Sequence, residues 1–307
     1  AYNATAAEAS LAGKKNLQVP DGLTPADITG KFTFTVTGEE GAPMPASTSV
    51  HNDAKGKVDF GKITFTLDDL NKALGEKPEK REHTFTYTVT ESGEVAGVTN
   101  DANATRKVSY TVTDDGAGHL IVKRDGGDGA AFTFTNTYGV APTDSSVTDQ
   151  VKTVKRLTGR DLAAGEFTFE LLEDGVVVAS GTNDANGTVT LSPIRYEAPG
   201  THTYMLREAC PNALGLYKGV TYDGTTYTVV TTVSDNGDGT LSVAHKVDND
   251  ANAVGFTNMY APAATSVALG ASKVLNGKSL EDGEFSFALE GEDGTQLTAG
   301  NDANGMV

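Results

Sequence analysis

One short stretch occurs twice in the chain and limits most strongly what the chain can fold into. It reads Phe134-Thr135-Asn136-Thr137-Tyr138 and again Phe256-Thr257-Asn258-Met259-Tyr260. Aromatic and β-branched residues favour a β-strand, and strand periodicity puts each Phe, Asn and Tyr on one face. Phe132 extends the first set, so we predict that this is the core face. A buried Asn then needs a partner that satisfies it or reacts with it.

Candidate partners for both Asn side chains lie upstream at matching places. A Glu ends a predicted strand in each copy, at Glu91 and Glu208. A Lys lies in each opening strand, Lys15 in K-N-L and Lys155 in K-R-L. Each repeat therefore carries Lys, Glu and Asn in one order. Lys14 stays an alternative to Lys15, because a slip of one residue exchanges the two faces of a strand.

These motifs resemble the isopeptide-linkage domains of Gram-positive major pilins and stalk-type adhesins, the FctA-like pilin family. The shared pattern is a K-x-L strand, a G-[EK]-F-[TS]-F strand at residues 30–34 and 165–169, a T-[FY]-x-x-x-E strand and a closing F-T-N-x-Y strand. The resemblance implies that a Lys amine condenses with an Asn side chain, assisted by Glu, and that ammonia leaves. It implies two bonds, Lys15–Asn136 with Glu91 and Lys155–Asn258 with Glu208.

The chemistry of such a bond depends on burial. A Lys amine with an ordinary pKa near 10.4 is protonated and cannot attack a carbonyl. An apolar pocket lowers the pKa of Lys and raises that of Glu, so a proton passes from one to the other. We expect the neutral acid to hydrogen-bond the Asn carbonyl and to stabilise the developing oxyanion. The reaction would be a single turnover, so the chain is expected to be its own substrate and not an enzyme.

Composition narrows the class of protein. The formal net charge of −17 and the isoelectric point near 4.6 argue against nucleic-acid binding, and no apolar run is long enough to cross a bilayer. An acidic surface suits an extracellular protein. The one cysteine, Cys210, leaves no disulfide within the chain, so a Lys–Asn amide would be an alternative reinforcement. No export signal or wall anchor is recognisable, and we expect those parts outside this sequence.

The repeats predict the domain organisation. We predict domain 1 at 1–138, with 1–8 as the tail of a preceding unit, domain 2 at 139–260, and an incomplete third domain at 261–307. Tyr2 and Tyr260 each lie 13 residues before a Lys (15 minus 2, and 273 minus 260), which suggests a slice of a longer array. Lys273 is then a cross-link lysine without an acceptor in its own unit.

The predicted fold class is all-β: tandem Ig-like Greek-key β-sandwiches with intramolecular Lys–Asn isopeptide bonds. About seven strands in each complete repeat fit this architecture. The first and last strands are expected side by side in one sheet, which brings Lys and Asn together.

Several local predictions accompany this fold. We predict a short helix over 68–77, with Asp68 as its cap, and a polar connector at 139–150 that restricts hinge motion. The Asp- and Asn-rich segments 52–56, 183–187 and 235–239 are interpreted as ordinary turns, with Ca²⁺ sites as the weaker alternative. No metal and no cofactor is expected.

The predicted function is that of a structural stalk or shaft segment of a Gram-positive cell-surface adhesin or pilus. We expect it to be extracellular and associated with the cell wall or pilus. Expected partners are further repeats of the array and neighbouring pilin subunits, with no nucleic acid and no membrane within this segment. The alternative is a ligand-binding adhesin module that recognises a host protein or glycan.

Overall fold

The computed structural model of the chain describes residues 2–75, 81–127, 131–248 and 253–307, and most of its elements are β-strands. No helix within these residues has the length and apolar composition that crossing a bilayer requires. The first 138 residues form β1 Ala7–Gln18, β2 Thr33–Gly38, β3 Ser49–His51, β4 Lys57–Phe65, α1 Leu67–Leu74, β5 Glu82–Ser92, β6 Val98–Thr99, β7 Thr105–Asp114, β8 Leu120–Arg124 and β9 Phe132–Tyr138.

These elements form the first sandwich, here called module 1. One sheet has the order β4-β1-β9-β6 and the other has β3-β2-β5-β7-β8. Alternate residues along the strands point inward and meet in one core that combines both sheets. In that core the rings of Phe34 on β2 and Phe134 on β9 lie 5.5 Å apart. The four predicted inward residues of β9 are all buried.

The second sandwich, module 2, repeats this plan around its own core. Its elements are β10 Thr143–Ser145, a 3-10 helix Val147–Asp149, β11 Lys152–Thr158, β12 Thr168–Glu173, β13 Val176–Asn183, β14 Val189–Leu191, β15 Ile194–Tyr196, β16 Gly200–Ala209, β17 Leu216–Tyr217, β18 Val220–Thr221, β19 Thr226–Asp235, β20 Leu241–Val247 and β21 Ala253–Tyr260. The sheet orders are β11-β21-β18-β17 and β14-β13-β12-β16-β19-β20, and β10 pairs with β15.

The first long strand and the last strand of each module are neighbours, as the sequence predicts. Strand β1 runs parallel to β9, and β11 runs parallel to β21. All other pairings between named strands are antiparallel in the described residues. The module is thus closed by two strands from opposite ends of its sequence. The chain is all-β, in tandem sandwiches, as expected.

Residues 1–260 form one compact unit, and residues 261–307 form a second. The second unit contains the hairpin β22 Ser286–Glu290 and β23 Gln296–Gly300. The predicted boundary between the first two domains stays a prediction.

Three local predictions need correction. The helix begins at Leu67 and its cap is Thr66, which forms a capping box with Asp69, so the prediction of Asp68 as the cap was wrong. The predicted end of this helix at Lys77 lies outside the described residues. The strands that contain the G-[EK]-F motifs begin only at Thr33 and Thr168. Residues 139–150 are not a plain connector, because they contain β10 and the 3-10 helix.

Candidate functional site

The register of the parallel strands brings each Lys beside its Asn. Lys15 is opposite Phe134 and Leu17 is opposite Asn136, so Lys15 and Asn136 are diagonal neighbours on the inward face. In module 2 the partner of Lys155 is Phe256, and Asn258 again lies two residues further on. All four of these polar side chains are buried.

The glutamate of each centre comes from the facing sheet. Lys15 Nζ lies 2.5 Å from Glu91 Oε1, and Lys155 Nζ lies 2.8 Å from Glu208 Oε1. The strand pairing places Glu91 opposite Phe34 and Glu208 opposite Phe169. The lysine side chains therefore reach across the core from one sheet to a carboxyl group on the other.

Burial controls the protonation of both pairs. It lowers the pKa of Lys15 and Lys155, although the neighbouring glutamates oppose this shift. It raises the pKa of Glu91 and Glu208 against the opposing effect of the lysines. Both directions favour a neutral amine beside a neutral acid, which is the state in which an amine is a nucleophile.

The lysine nitrogens lie in an aromatic setting. Lys15 Nζ is 4.5 Å from the centre of the Phe32 ring, and Lys155 Nζ is 4.6 Å from that of Phe167. These are the first phenylalanines of the two G-[EK]-F motifs. The apolar rings exclude water from the amine and supply part of the desolvation that shifts its pKa.

Four buried polar side-chain atoms in the described residues lack a hydrogen-bond partner: Lys15 Nζ, Glu91 Oε1, Lys155 Nζ and Glu208 Oε2. The lysine nitrogens lie close to the glutamates, but the angles fall outside hydrogen-bond geometry. Buried polar atoms are normally paired, so each exception needs an explanation. All four belong to the two Lys–Glu–Asn centres.

The structure adds one aspartate to each centre that the sequence did not reveal. The backbone N–H of Asp101 donates to Asn136 Oδ1 at 2.8 Å, and that of Asp223 donates to Asn258 Oδ1 at 2.8 Å. In both modules the aspartate lies 35 residues before the asparagine. This spacing is the signal that could have found it. A backbone N–H only donates, so it identifies the atom it contacts as the amide oxygen.

The carboxylates of the same aspartates hold the last strand in place. Asp101 Oδ2 accepts from the N–H of Thr135 at 2.8 Å, and Asp223 Oδ2 accepts from that of Thr257 at 2.7 Å. Each aspartate thus binds the residue before the asparagine as well as the asparagine itself. The amide oxygen thus has an N–H donor at the position where negative charge would develop if an amine attacked the amide.

The glutamate occupies a different place from the one expected. Glu208 Oε1 accepts a hydrogen bond from Asn258 Nδ2 at 2.9 Å, so it faces the leaving nitrogen and not the carbonyl. The donor on the amide oxygen is the N–H of Asp223. In module 1, Asn136 Nδ2 donates to Asn100 Oδ1 at 3.0 Å. The expectation that the acid bonds the carbonyl is therefore wrong in this structure.

A turn of the form N-D-A-x-G supports each lysine, a role that sequence reasoning missed. The carbonyls of Gly56 and Gly187 accept from the backbone N–H of Lys15 and Lys155, each at 2.7 Å. The buried Asn at the start of each turn accepts from the N–H of the phenylalanine below the lysine, at 3.2 Å for Asn52 and 2.9 Å in module 2. The carboxylates of these turns bond their own backbone.

The other predicted residues lie outside the two centres. Lys14 is exposed, so the structure favours Lys15 as the donor. Lys273 Nζ lies 4.5 Å from the centre of the Phe285 ring. The backbone N–H of Lys273 donates to the carbonyl of Gly305 at 2.7 Å, as those of Lys15 and Lys155 do to the glycines of their turns. The structure brings no Glu or Asn of the pattern to it within 261–307. Cys210 is half-buried and lies 3.9 Å from Asn212 Oδ1.

Comparisons with known proteins give one family. The model of the FctA family, described as Spy0128-like isopeptide-containing domain, matches residues 11–139 and again 151–261. No curated protein matches the chain.

The solved structures that match include two pilins and one pilus adhesin, all at low sequence identity and low TM-score. The major pilin of Streptococcus pyogenes is 15% identical over 82% of this chain and 98% of that chain, with a TM-score of 0.25. The T-13 major pilin of the same organism is 16% identical over 84% and 98%, with a TM-score of 0.25. A C-terminal fragment of the pilus adhesin SpaC from Lactobacillus rhamnosus GG is 11% identical over 84% and 100%, with a TM-score of 0.24.

Proposed function

The chain belongs to the family of Spy0128-like isopeptide-containing domains, and from this premise we propose that its two modules cross-link themselves through Lys15–Asn136 and Lys155–Asn258. The role is structural, in a pilus shaft or an adhesin. The chain is then a segment that resists extension, and each module carries one covalent bond between its first long strand and its last.

One observation carries this proposal. The buried polar atoms without a hydrogen-bond partner, among the residues that the structure describes, all lie in the two Lys–Glu–Asn centres. A buried lysine and glutamate left in this state would be destabilising. Formation of the amide removes the amine that burial disfavours, so the reaction relieves the cost that folding creates.

The geometry of module 2 gives an order of events. Glu208 takes a proton from Lys155 Nζ, which lies 2.8 Å away. The free amine attacks Asn258 Cγ, while the N–H of Asp223 stabilises the negative charge on Oδ1. Glu208 gives this proton to Nδ2, from which it accepts a hydrogen bond in the folded state, and takes the second proton that the Lys155 nitrogen must lose. The C–Nδ2 bond breaks and ammonia leaves, taking that second proton with it as ammonium. One amide replaces another, and Glu208 is again a carboxylate.

This reaction needs no cofactor, because the fold supplies the proximity. Reacting groups held in position reach effective molarities of about 10⁵–10⁸ M. The carboxyl group acts once for each bond, so the chain is its own substrate and not an enzyme. The proposal keeps for Glu91 and Glu208 the role of proton shuttle that was predicted from the sequence.

Intact-mass spectrometry of the full chain tests the proposal. The folded protein is expected to weigh less than its sequence by two molecules of ammonia. Glu91→Ala and Glu208→Ala are each expected to restore one, because each removes one proton shuttle. Digestion should yield a branched peptide that joins the Lys155 segment to the Asn258 segment.

A matched control replaces a glutamate outside the centres. Glu94 is exposed, so Glu94→Ala should keep the full deficit. A folded wild-type chain with the complete mass of its sequence would overturn the proposal. So would a deficit that persists in the double variant Glu91→Ala/Glu208→Ala.

Location and partners follow from the same proposal. Proteins of this family belong to the cell surface and pili of Gram-positive bacteria and assemble with other pilin subunits. For this chain we propose an extracellular position in the wall or pilus, beside further repeats of its own array. A host-surface ligand, the alternative function given by the sequence, stays a prediction, and binding assays with the full chain would test it.

A further inference from the structure

A tyrosine and a hairpin turn make the same set of contacts at two places in the chain. At the start of the chain, the hydroxyl of Tyr2 donates to Asp114 Oδ1 at 2.6 Å. It accepts from the N–H of Gly118 at 3.2 Å, and the N–H of Gly116 donates to Asp114 Oδ1 at 2.9 Å. Three residues after the tyrosine, the N–H of Thr5 donates to the carbonyl of Gly118 at 2.8 Å.

The second place is the junction between modules 1 and 2. The hydroxyl of Tyr138 donates to Asp235 Oδ1 at 2.7 Å and accepts from the N–H of Gly239 at 3.1 Å. The N–H of Gly237 donates to Asp235 Oδ1 at 2.8 Å. The N–H of Ala141, again three residues after the tyrosine, donates to the carbonyl of Gly239 at 2.8 Å.

The two sets correspond atom for atom. In both, a Tyr binds a turn of the form Asp-x-Gly-x-Gly that joins two antiparallel strands, β7 to β8 in one case and β19 to β20 in the other. Tyr138 closes module 1, whereas its turn belongs to module 2. Because the contact recurs with the same atoms and the same spacings, we interpret it as a structural feature of the repeat and not as a chance contact.

The junction has further contacts between module 1 and the turn at 235–239. The N–H of Thr24 donates to Asp235 Oδ2 at 2.8 Å, and the N–H of Ala26 donates to the carbonyl of Gly237 at 2.9 Å. Gly97 packs directly on the turn, since a Cβ on Gly239 would lie 2.5 Å from the Gly97 Cα. Both oxygens of the Asp235 carboxylate are therefore occupied by module 1.

We propose that the Asp-x-Gly-x-Gly turn and the closing tyrosine of the preceding module form a repeated latch that fixes the orientation of successive modules. The turn at 235–239, interpreted from the sequence as an ordinary turn or a Ca²⁺ site, is the part of this latch that module 2 contributes. Its carboxylate binds a tyrosine hydroxyl and backbone amides of the neighbouring module.

The latch also identifies the partner for the end of module 2. In module 1, Val98 pairs with Tyr138 and follows Gly97, whose φ is +74°. In module 2, Val220 pairs with Tyr260 and follows Gly219, whose φ is +77°. Module 2 thus presents its closing tyrosine beside a glycine of the same backbone conformation. The partner that fits this tyrosine is the Asp-x-Gly-x-Gly turn of a following module of this type.

Tyr138→Phe in the full chain tests the latch, because it removes one hydroxyl and keeps the ring. Residual dipolar couplings of modules 1 and 2 should fit one alignment tensor in the wild type and two different tensors in the variant. Hydrogen exchange at Ala26 and Ala141 should become faster by tenfold or more. Tyr2→Phe removes the same hydroxyl at the other latch and should leave the tensors of the two modules in agreement.

A steric pair of variants checks the latch without touching a hydroxyl. Gly239→Ala places a methyl group 2.5 Å from Gly97, whereas Gly237→Ala has its nearest neighbour at 3.4 Å. Both glycines have a positive φ, +84° and +79°, so both variants carry backbone strain. Only Gly239→Ala is expected to give modules 1 and 2 different alignment tensors. The latch is refuted if Tyr138→Phe and Gly239→Ala, with both cross-links still present by mass, keep one common tensor.

Discussion

At the scale of single residues, the two centres have the burial and the neighbours that the proposed reaction requires of a lysine. Lys155 is almost completely buried, and its amine faces a buried carboxyl group and an aromatic ring. Neither charge is stable in this setting, and the neutral pair is the reactive one. Once the amide forms, no titratable lysine remains in the centre.

Replacing the lysine should make the unfolding free energy depend on pH, because the buried Glu208 then has no lysine beside it. In Lys155→Met, the burial that raises the pKa of Glu208 remains, whereas the opposing lysine is gone. A raised folded-state pKa stabilises the fold fully below the unfolded value near 4.3, and this stability is lost as the pH rises. We expect unfolding free energy to fall by up to about 1.4 kcal/mol per pH unit above roughly pH 4, as measured by urea denaturation.

The control for this prediction is Lys155→Met/Glu208→Gln. It keeps the shape of the centre but has no acid to titrate, so its stability should not follow this slope. An equal slope in both variants would assign the pH dependence to other carboxylates.

The residues of the centres differ in how far the sequence could predict them. Lys, Glu and Asn could be named because they recur in one order at inward strand positions. Asp101 and Asp223 act on the asparagine through a backbone N–H, which every residue except Pro has, so residue type gives no clue to that role. The place of Glu208 at the amide nitrogen depends on this N–H, and it could not be predicted for the same reason.

At the scale of elements, the N-D-A-x-G turns position the lysine strands. A Cβ on Gly187 would lie 2.1 Å from the Lys155 carbonyl oxygen, and its φ is +84°. The turn therefore approaches the strand more closely than any other residue type allows. The same approach occurs at Gly56 and Gly305, so each lysine has one such support.

Gly187→Ala should therefore impair cross-linking in module 2. The added methyl group displaces the turn or strand β11, and the lysine loses its position against Asn258. We expect a population that retains one more ammonia than the wild type, with a lower melting temperature for module 2. Gly175→Ala is the matched control, because Gly175 has a φ of +81° and no neighbour within 4 Å of the added carbon. Equal cross-linking in both variants would contradict the claim that the turn at Gly187 positions Lys155.

Strands and hairpins could be predicted where a single sequence pattern was present. The closing strands and the hairpin from β7 to β8 follow from alternation and Gly-rich turns. The helix cap was misplaced because Thr66, Asp68 and Asp69 all suit a cap, and only the structure shows which of them bonds the first turn. Strand β10 pairs with β15, a contact that depends on tertiary position and leaves no local signal.

At the scale of the whole molecule, the parallel pairing of first and last strands sets the response to force. If the proposed amide forms, tension that enters module 1 near Lys15 and leaves near Asn136 passes through the amide and bypasses the sheets. The tied loop spans 121 residues (136 minus 15). By analogy with disulfides, such a loop also restricts the unfolded chain by roughly 4–5 kcal/mol.

Single-molecule pulling from the two ends should show this difference. The wild type is expected to give no extension step from the segment between Lys15 and Asn136. Glu91→Ala should add a step of roughly 40 nm, since extended chain spans about 3.3–3.6 Å per residue. Glu94→Ala serves as the control without this step. An equal step in wild type and Glu91→Ala would show that the amide carries no tension.

The pairing of the first long strand with the last strand of each module has a consequence for the covalent connectivity of the chain. With the amide in place, module 1 is a ring in which two separate covalent routes join Lys15 to Asn136. A protease that cuts one loop inside the ring leaves the other route whole, and the stalk keeps its length and both of its ends. Only a cut in the short stretches outside the rings, such as residues 139–150, severs the fibre.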